Sequence, residues 1–170
     1  KLKLLSADSN FSLIKHQIRK YNPEIFVVND FKVYEKLKKL YSSRKIKILN
    51  NFDKISLKKS DITISAIPGI AGLKPTLSMI RFSKKVLIAN KESIICGWDI
   101  IKKTANKFSV KIIPVDSEHF SILKLLENQD INDIKKIFIT ASGGPFLNYK
   151  PSQLKTITPL QALRHPKWKM

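Results

Sequence analysis

Residues 112–119 read IIPVDSEH, and this stretch decides how the rest of the chain is interpreted. Its apolar, β-branched beginning predicts a buried strand that ends near Val115. Asp116, Ser117 and Glu118 follow at once, at the carboxyl end of that strand. Ligands bind at this end of the strands in an open parallel α/β sheet. The stretch therefore places three polar side chains where a ligand is expected.

The two carboxylates of this stretch admit two interpretations. Asp116 and Glu118 stand two residues apart, so they point to the same side while the chain is extended. Oxygen ligands of this kind form half of a magnesium or manganese site. The alternative is a polar turn in which Asp116 or Ser117 caps a helix that begins near Glu118. These residues alone leave both interpretations open.

Strand-like runs alternate with helical patterns along the chain, which is typical of parallel βαβ units. Asn10 and Asp30 are placed to cap two helices, and Pro75 suits the first turn of a third. We therefore expect an α/β fold with a Rossmann-like parallel sheet and flanking helices, with a boundary near Pro114. The predicted strands cover residues 2–5, 25–28, 46–49, 62–66, 86–89, 112–115 and 137–140.

An apolar helical stripe in residues 94–105 predicts the environment of the single cysteine. Ile94, Ile95, Trp98, Ile101 and Ala105 are spaced to form one inward face. Cys96 lies among them, and buried packing is the expected role of its side chain. One cysteine cannot form an intrachain disulfide, which fits a reducing compartment.

Charge and length restrict the class of protein. The 170 residues carry 32 basic and 13 acidic side chains, a net charge of +19 that would suit a nucleic-acid-binding module. Only four of the basic residues are arginines, and the lysines are not interleaved with aromatic residues, whereas readers of bases favour arginine forks and stacking rings. The positive field could instead attract a phosphate-bearing substrate. No apolar stretch approaches the roughly 20 residues that a membrane-spanning helix needs.

The glycines alone do not demonstrate a dinucleotide site. None of the five belongs to a GxGxxG loop. Gly69 and Gly72 follow a predicted strand, where they would let the backbone approach either a ligand or a neighbouring helix. Lys1 is not a natural start residue, so we expect further residues before it.

Five motifs in a fixed order carry a resemblance to a known family. They are SAIPGIAGLKPTL at 65–77, ANKES at 89–93, PVDSEH at 114–119, TASGGPF at 140–146 and HPKWKM at 165–170. Together they resemble the 1-deoxy-D-xylulose 5-phosphate reductoisomerases, NADPH-dependent enzymes of the non-mevalonate isoprenoid pathway. Members of that family rearrange 1-deoxy-D-xylulose 5-phosphate and reduce the product to 2-C-methyl-D-erythritol 4-phosphate.

The resemblance covers the whole chain but only part of the family's length. It implies that residues 1–115 are an NADPH-binding Rossmann-like domain without its first strand and glycine loop. Residues 116–170 would begin an α+β catalytic domain. We expect the isolated segment to be inactive, with sheet edges that the first strand would otherwise cover.

The resemblance also implies roles for individual residues. Asp116 and Glu118 match metal ligands for Mg²⁺ or Mn²⁺, with Co²⁺ as an alternative, and with Lys91 they form the expected catalytic set. Lys91 and Glu118 would also contact substrate, although Lys91 alone would be taken for a surface lysine. The other matching substrate-binding residues are Ser117, Ser142, His165 and Trp168, with Trp168 and Met170 in a mobile flap.

The cofactor contacts implied by the resemblance fall in two places. Asn90 and Glu92 flank Lys91, while Ser9 and Asn10 could hold the 2′-phosphate of NADP. Asp8 departs from that pattern, because an acidic residue after this strand favours the free 2′-hydroxyl of NAD. The NADP preference is therefore less firmly predicted than the metal ligands.

The expected partners follow from the same resemblance. They are a small sugar phosphate rather than a nucleic acid or a membrane, and a second copy of the full-length chain in a homodimer. The expected compartment is the bacterial cytoplasm, or the plastid stroma in a eukaryote. The alternatives are another Rossmann-type dehydrogenase, which would not explain the last three motifs together, and the basic nucleic-acid-binding module.

Overall fold

The computed structural model describes residues 1–139 and 144–164. The chain forms two compact units, Lys1–Phe120 and Ser121–Met170. Within the described ranges, all six strands belong to the first unit, where they form two three-stranded parallel sheets. The Rossmann-like α/β arrangement predicted from the sequence is thus confirmed. The domain boundary predicted between residues 115 and 116 stays a prediction.

Sheet one contains the first three strands. They are β1 (Leu4–Ala7), β2 (Ile25–Val28) and β3 (Lys47–Leu49), paired in that order, with helices α1 (Phe11–Tyr21) and α2 (Phe31–Leu40) between them. All four residues of β2 are buried, as expected for a strand covered on both faces. Ile14 of α1 and Leu37 of α2 are fully buried against Phe26 in one core cluster.

Both helices of sheet one begin where the sequence predicted. The Asn10 side chain accepts a hydrogen bond from the backbone N–H of Leu13 at 3.0 Å. The Asp30 carboxylate accepts one from the N–H of Val33 at 2.8 Å. These caps satisfy N–H groups that have no partner inside the helix.

Sheet two contains the next three strands. They are β4 (Ser60–Ser65), β5 (Ser83–Ile88) and β6 (Lys111–Pro114), with helices α3 (Leu73–Ile80) and α4 (Lys91–Phe108) between them. Val86 and Ile88 of β5 pack with Ile80 of α3 and Ile101 of α4, and all four side chains are fully buried. This packing fixes the beginning of α4 at the end of β5.

The apolar stripe predicted for α4 is only partly correct. Ile101 and Ala105 are buried, but Ile95 is 72% exposed and Trp98 is 43% exposed. Cys96 is exposed as well, so its predicted burial is wrong. Regular helical geometry of about 100° per residue explains the exposure of Ile95 and Cys96, because it places Ile94, Gly97, Ile101 and Ala105 on one face and turns these two side chains away from it. Gly97 lies on the buried face and departs from helical geometry (φ −140°, ψ 22°).

Sheets one and two share a carboxyl edge. The carboxyl ends of β1 and β4 line a common cleft of about 670 Å³. At the opposite ends of these strands, the Lys3 ammonium donates to the carbonyl of Lys59 at 2.9 Å. β1 and β4 therefore run in the same direction. Along their length they line a second cleft of about 660 Å³, and within the described residues neither strand is paired on this side.

The second unit is described only in part. Helix α5 (Ser117–Leu126) begins before it, and two short helices, α6 (Pro151–Leu154) and α7 (Pro159–Ala162), lie within it. A strand was predicted at residues 137–140, but residues 137–139 form none, and Thr140 lies outside the described residues. No helix in the described part of the chain is both long and apolar enough to cross a membrane.

Candidate active site

The candidate site lies at the carboxyl edge of sheet two. Ile88 at the end of β5 pairs with Pro114 at the end of β6, so the loops that follow the two strands emerge side by side. Helix α4 begins at Lys91 after the first loop, and α5 begins at Ser117 after the second. Parallel pairing thus brings together motifs that lie more than 20 residues apart in the sequence.

Lys91 and Glu118 form an ion pair across this edge. The Lys91 Nζ donates to Glu118 Oε1 at 2.7 Å, with the two side chains 43% and 35% exposed. This hydrogen bond raises the pKa of Lys91 above its usual value and lowers the pKa of Glu118. Both groups are therefore charged at neutral pH, and one carboxylate oxygen of Glu118 is engaged by an ammonium group.

The carboxylate of Asp116 is buried beside this pair, with its side chain only 5% exposed. Its Oδ1 accepts the backbone N–H of His119 at 3.1 Å and lies 2.8 Å from His119 Nδ1. Burial alone would raise the pKa of Asp116, but the hydrogen bonds with His119 outweigh burial and lower it. Its Oδ2 is buried and has no hydrogen-bond partner.

The two oxygens of Asp116 account for both interpretations of the sequence. Oδ1 satisfies an N–H group in the first turn of α5, as the capping interpretation predicts. Oδ2 is a buried anionic oxygen that lacks a donor, and such a group is costly unless a cation or a donor reaches it.

The donor set fits a hard divalent cation in part. A buried, unpartnered carboxylate oxygen with a second carboxylate nearby is the oxygen-rich surrounding that Mg²⁺ and Mn²⁺ favour. Within residues 1–139 and 144–164, however, no three His, Cys, Asp or Glu side chains converge to hold an ion. This part of the chain can therefore supply Asp116 and Glu118 but not a complete coordination shell.

Asn90 connects the site to the loop after β4. Its carbonyl oxygen caps α4 by accepting the N–H of Ser93 at 2.8 Å, and its amide nitrogen donates to the carbonyls of Gly69, at 2.8 Å, and Ile67. A side chain at Gly72 would overlap the Asn90 amide and the Ile67 carbonyl, so this position requires glycine. Asn90 thus holds the loop whose Ile67 lines the 670 Å³ cleft.

The remaining predicted cofactor residues are exposed. Glu92 lies in the first turn of α4, where the helix dipole favours a negative charge. Asp8, after β1, lines the 670 Å³ cleft and accepts a hydrogen bond from the Asn29 amide at 2.8 Å. Ser9 and Asn10 follow it, and the Asn10 side chain caps α1. A cleft of this size at the carboxyl edge of a parallel sheet has the position and volume of a nucleotide site.

Not every predicted residue can be placed. Ser117 is the exposed first residue of α5. Ser142, His165, Trp168 and Met170 lie outside the described residues. Sequence reasoning missed His119, which orients Asp116. The signal was present, because an aspartate just before a helix accepts an N–H group of the first helical turn, and the motif places a histidine three residues after the aspartate.

Two family models match the chain. One, described as 1-deoxy-D-xylulose 5-phosphate reductoisomerase, matches residues 1–97. The other, described as the C-terminal domain of 1-deoxy-D-xylulose 5-phosphate reductoisomerase, matches residues 112–170. Each match contains one side of the ion pair, with Lys91 in the first and Glu118 in the second.

Known proteins agree with these matches. The 1-deoxy-D-xylulose 5-phosphate reductoisomerase of Pelagibacter ubique is 43% identical over 175 aligned positions, which cover 100% of this chain and 45% of that protein. The Zymomonas mobilis enzyme in complex with NADPH superposes with a TM-score of 0.77 at 31% identity, covering 96% of this chain and 44% of that one. A DOX-P reductoisomerase in complex with NADPH, fosmidomycin and magnesium gives a TM-score of 0.70 at 28% identity, with 99% and 45% covered.

Proposed function

Because the chain belongs to the 1-deoxy-D-xylulose 5-phosphate reductoisomerase family, we propose that it contributes the metal-binding edge and part of the NADPH site of such an enzyme. The reaction is the conversion of 1-deoxy-D-xylulose 5-phosphate to 2-C-methyl-D-erythritol 4-phosphate. The chain spans less than half the length of the relatives it matches, so this activity is proposed for the whole protein that carries it.

The single observation that carries the proposal is the buried, unpartnered Oδ2 of Asp116. Asp116 and Glu118 would hold Mg²⁺ or Mn²⁺. When bound, such an ion supplies Lewis acidity and a template for vicinal oxygens of the sugar phosphate. His119 holds Asp116 through Oδ1, so the other oxygen is the one left for a ligand.

Lys91 is proposed to bind the anionic substrate. Its ammonium group lies at the same edge as the two carboxylates and stays protonated at neutral pH. A fixed positive charge beside the reacting oxygens stabilises the negative charge that develops there. Ser117, Ser142, His165 and Trp168 are proposed as further substrate contacts on the basis of their motifs.

The 670 Å³ cleft is proposed to receive part of NADPH. It lies between the carboxyl ends of β1 and β4, and in open parallel sheets of this class a ligand-binding crevice opens where the order of the strands reverses. Asn90 supports one wall through Ile67 and Gly69, and Asp8 lies on the other. Glu92, Ser9 and Asn10 are the remaining proposed contacts.

The domain organisation, assembly and compartment are proposed on family membership. Residues 1–115 would form the nucleotide-binding domain, and residues 116–170 would begin the catalytic domain. A homodimer in the bacterial cytoplasm, or in the plastid stroma of a eukaryote, is the arrangement that we propose for the whole protein.

The test is turnover in the protein that carries this chain, followed as NADPH oxidation with 1-deoxy-D-xylulose 5-phosphate and Mg²⁺ or Mn²⁺. We expect Asp116→Asn to lower kcat/KM by more than about 100-fold. Loss of a residue that only hydrogen-bonds to a metal ligand costs about 10- to 100-fold, and loss of a carboxylate that binds the metal ion itself should cost more. Asp61→Asn is the matched control, because Asp61 is the second residue of β4 and pairs with Lys84 near the amino end of that strand, away from this edge. Near-normal turnover of Asp116→Asn at limiting metal would contradict the proposal.

A further inference from the structure

We propose that Lys91 and the divalent cation compete for Glu118, so that binding of the cation releases the Lys91 ammonium group toward the anionic substrate. This inference rests on the metal site proposed above and deepens it. It concerns the order of events at the site rather than the identity of its ligands.

The competition follows from a shared oxygen. Glu118 Oε1 accepts the Lys91 Nζ at 2.7 Å, so the lone pairs that a metal ion would need are already directed at a cation. Lys91 also experiences the negative fields of Asp116 and Glu92. A divalent ion held by Asp116 and Glu118 would thus enter the region that the ammonium occupies, and like charges repel strongly at such short range.

The two carboxylates are not equally free to respond. Asp116 is buried and fixed by two contacts with His119. Glu118 is partly exposed, and its partner is an ammonium group at the end of a flexible four-carbon chain. Exchange of partners is therefore expected at Glu118, while Asp116 keeps its position.

Release of Lys91 has a direct consequence for the substrate. While the ammonium is paired with Glu118, part of its charge is neutralised locally. A metal ion that takes over Glu118 leaves Lys91 without that partner and free to contact the anionic substrate proposed above. The cation and the anion should therefore bind cooperatively, and by linkage each should strengthen the binding of the other equally.

The experiment measures Mn²⁺ binding by isothermal titration calorimetry in the protein that carries this chain, without substrate. We expect Lys91→Met to bind Mn²⁺ about two- to fivefold more tightly than the unchanged protein, the factor that corresponds to loss of an exposed ion pair. Lys84→Met is the matched control. It breaks an ion pair with Asp61 of the same 2.7 Å length and removes the same charge, but outside the site.

A double-mutant cycle assigns the effect to Glu118. In a Glu118→Gln background Mn²⁺ should bind more weakly, and Lys91→Met should tighten it less than it does when Glu118 is present, because only the charge repulsion between Lys91 and the ion remains. Urea midpoints of every variant confirm that the folded protein is being compared.

The outcomes separate this inference from the proposed function. If Mn²⁺ binds the unchanged protein and Lys91→Met matches Lys84→Met, or if the tightening by Lys91→Met is undiminished in the Glu118→Gln background, the competition is overturned while the metal site stands. If neither the unchanged protein nor Lys91→Met binds Mn²⁺, the metal site itself fails, and the competition fails with it.

Discussion

The carboxyl edges of sheets one and two use similar side chains in different ways. At the edge of sheet one, Asp8, Asn10 and Asp30 pair with neighbouring amide or N–H groups and so build the loops themselves. At the edge of sheet two, Asp116 performs the same capping task with one oxygen and keeps the other buried and unpartnered. A polar residue that completes a loop is not thereby excluded from binding a ligand. The candidates for ligand binding are the capping residues that keep a second, buried polar atom without a hydrogen-bond partner.

After Asp116→Asn, the substitution Lys91→Met has the largest expected effect on activity and tests the same contrast between the two edges. We expect Lys91→Met to lower kcat/KM for 1-deoxy-D-xylulose 5-phosphate by about 10- to 100-fold, because a charge-assisted contact to an anion is worth about 1.5–3 kcal/mol. The Kd for NADPH should stay nearly unchanged. Steady-state kinetics and fluorescence titration of NADPH measure the two quantities.

Lys84→Met is the control for this experiment too, since Lys84 pairs with Asp61 away from the carboxyl edge. If Lys91→Met and Lys84→Met show the same efficiency, Lys91 is one more surface lysine and the contrast between the edges is lost.

The two helix-capping asparagines compare the edges in stability. Asn90→Ala removes a buried cap and the donor to two loop carbonyls, so we expect it to lower the free energy of unfolding by about 2–4 kcal/mol. Asn10→Ala removes one exposed cap and should cost about 0.5–2 kcal/mol. Urea denaturation of both variants checks the order. Equal losses would mean that the Ile67–Gly69 contacts of Asn90 add nothing.

Asp8 tests the cofactor side of the comparison. Asp8 lines the 670 Å³ cleft, and its carboxylate would repel the 2′-phosphate of NADPH if the two lie close together. We expect Asp8→Asn to tighten NADPH about 1.4- to 5-fold, the range for an exposed charge interaction, and to leave NADH nearly unchanged. The measurement is the ratio of the two Kd values, with Asp61→Asn as the control. A parallel change for both cofactors would show that Asp8 does not face the 2′ position.

The pH dependence of stability gives the smallest expected effect. The pKa of Glu118 is lowered by Lys91, so the pair stabilises the fold above the usual carboxyl pKa, and this contribution is lost as the pH falls through the lowered value. The pKa of Lys91 is raised, so the contribution is also lost as the pH rises through that raised value. Urea midpoints of the unchanged protein and Lys91→Met should therefore differ at neutral pH and converge in acid. A constant difference across the acid range would contradict this assignment.

Local patterns predicted the elements that form the carboxyl edge of sheet one. The caps Asn10 and Asp30 and the strand at residues 25–28 depend on neighbours in the sequence, and the structure has them as predicted. The family was identified from five motifs in order, and the family matches confirm it.

Predictions failed where the helical period was applied too loosely or where a contact distant in sequence decides the outcome. Cys96 and Ile95 are exposed because regular helical periodicity turns them away from the face that Ile101 and Ala105 bury. The Lys91–Glu118 pair depends on the register of β5 with β6, which the sequence does not state. Roles assigned to single residues stay predictions.

The unpaired edges of β1 and β4 have a consequence for handling the chain in solution. Ile62 and Ile64, on the same face of β4, are 54% and 67% exposed on a strand whose outer backbone groups pair with no strand in the described residues. Two molecules that meet at such an edge can continue each other's sheet, which is the usual first step of ordered self-association. Light scattering per unit mass of the purified chain should therefore rise with protein concentration. A charged residue at position 62 or 64 is the simplest way to slow it.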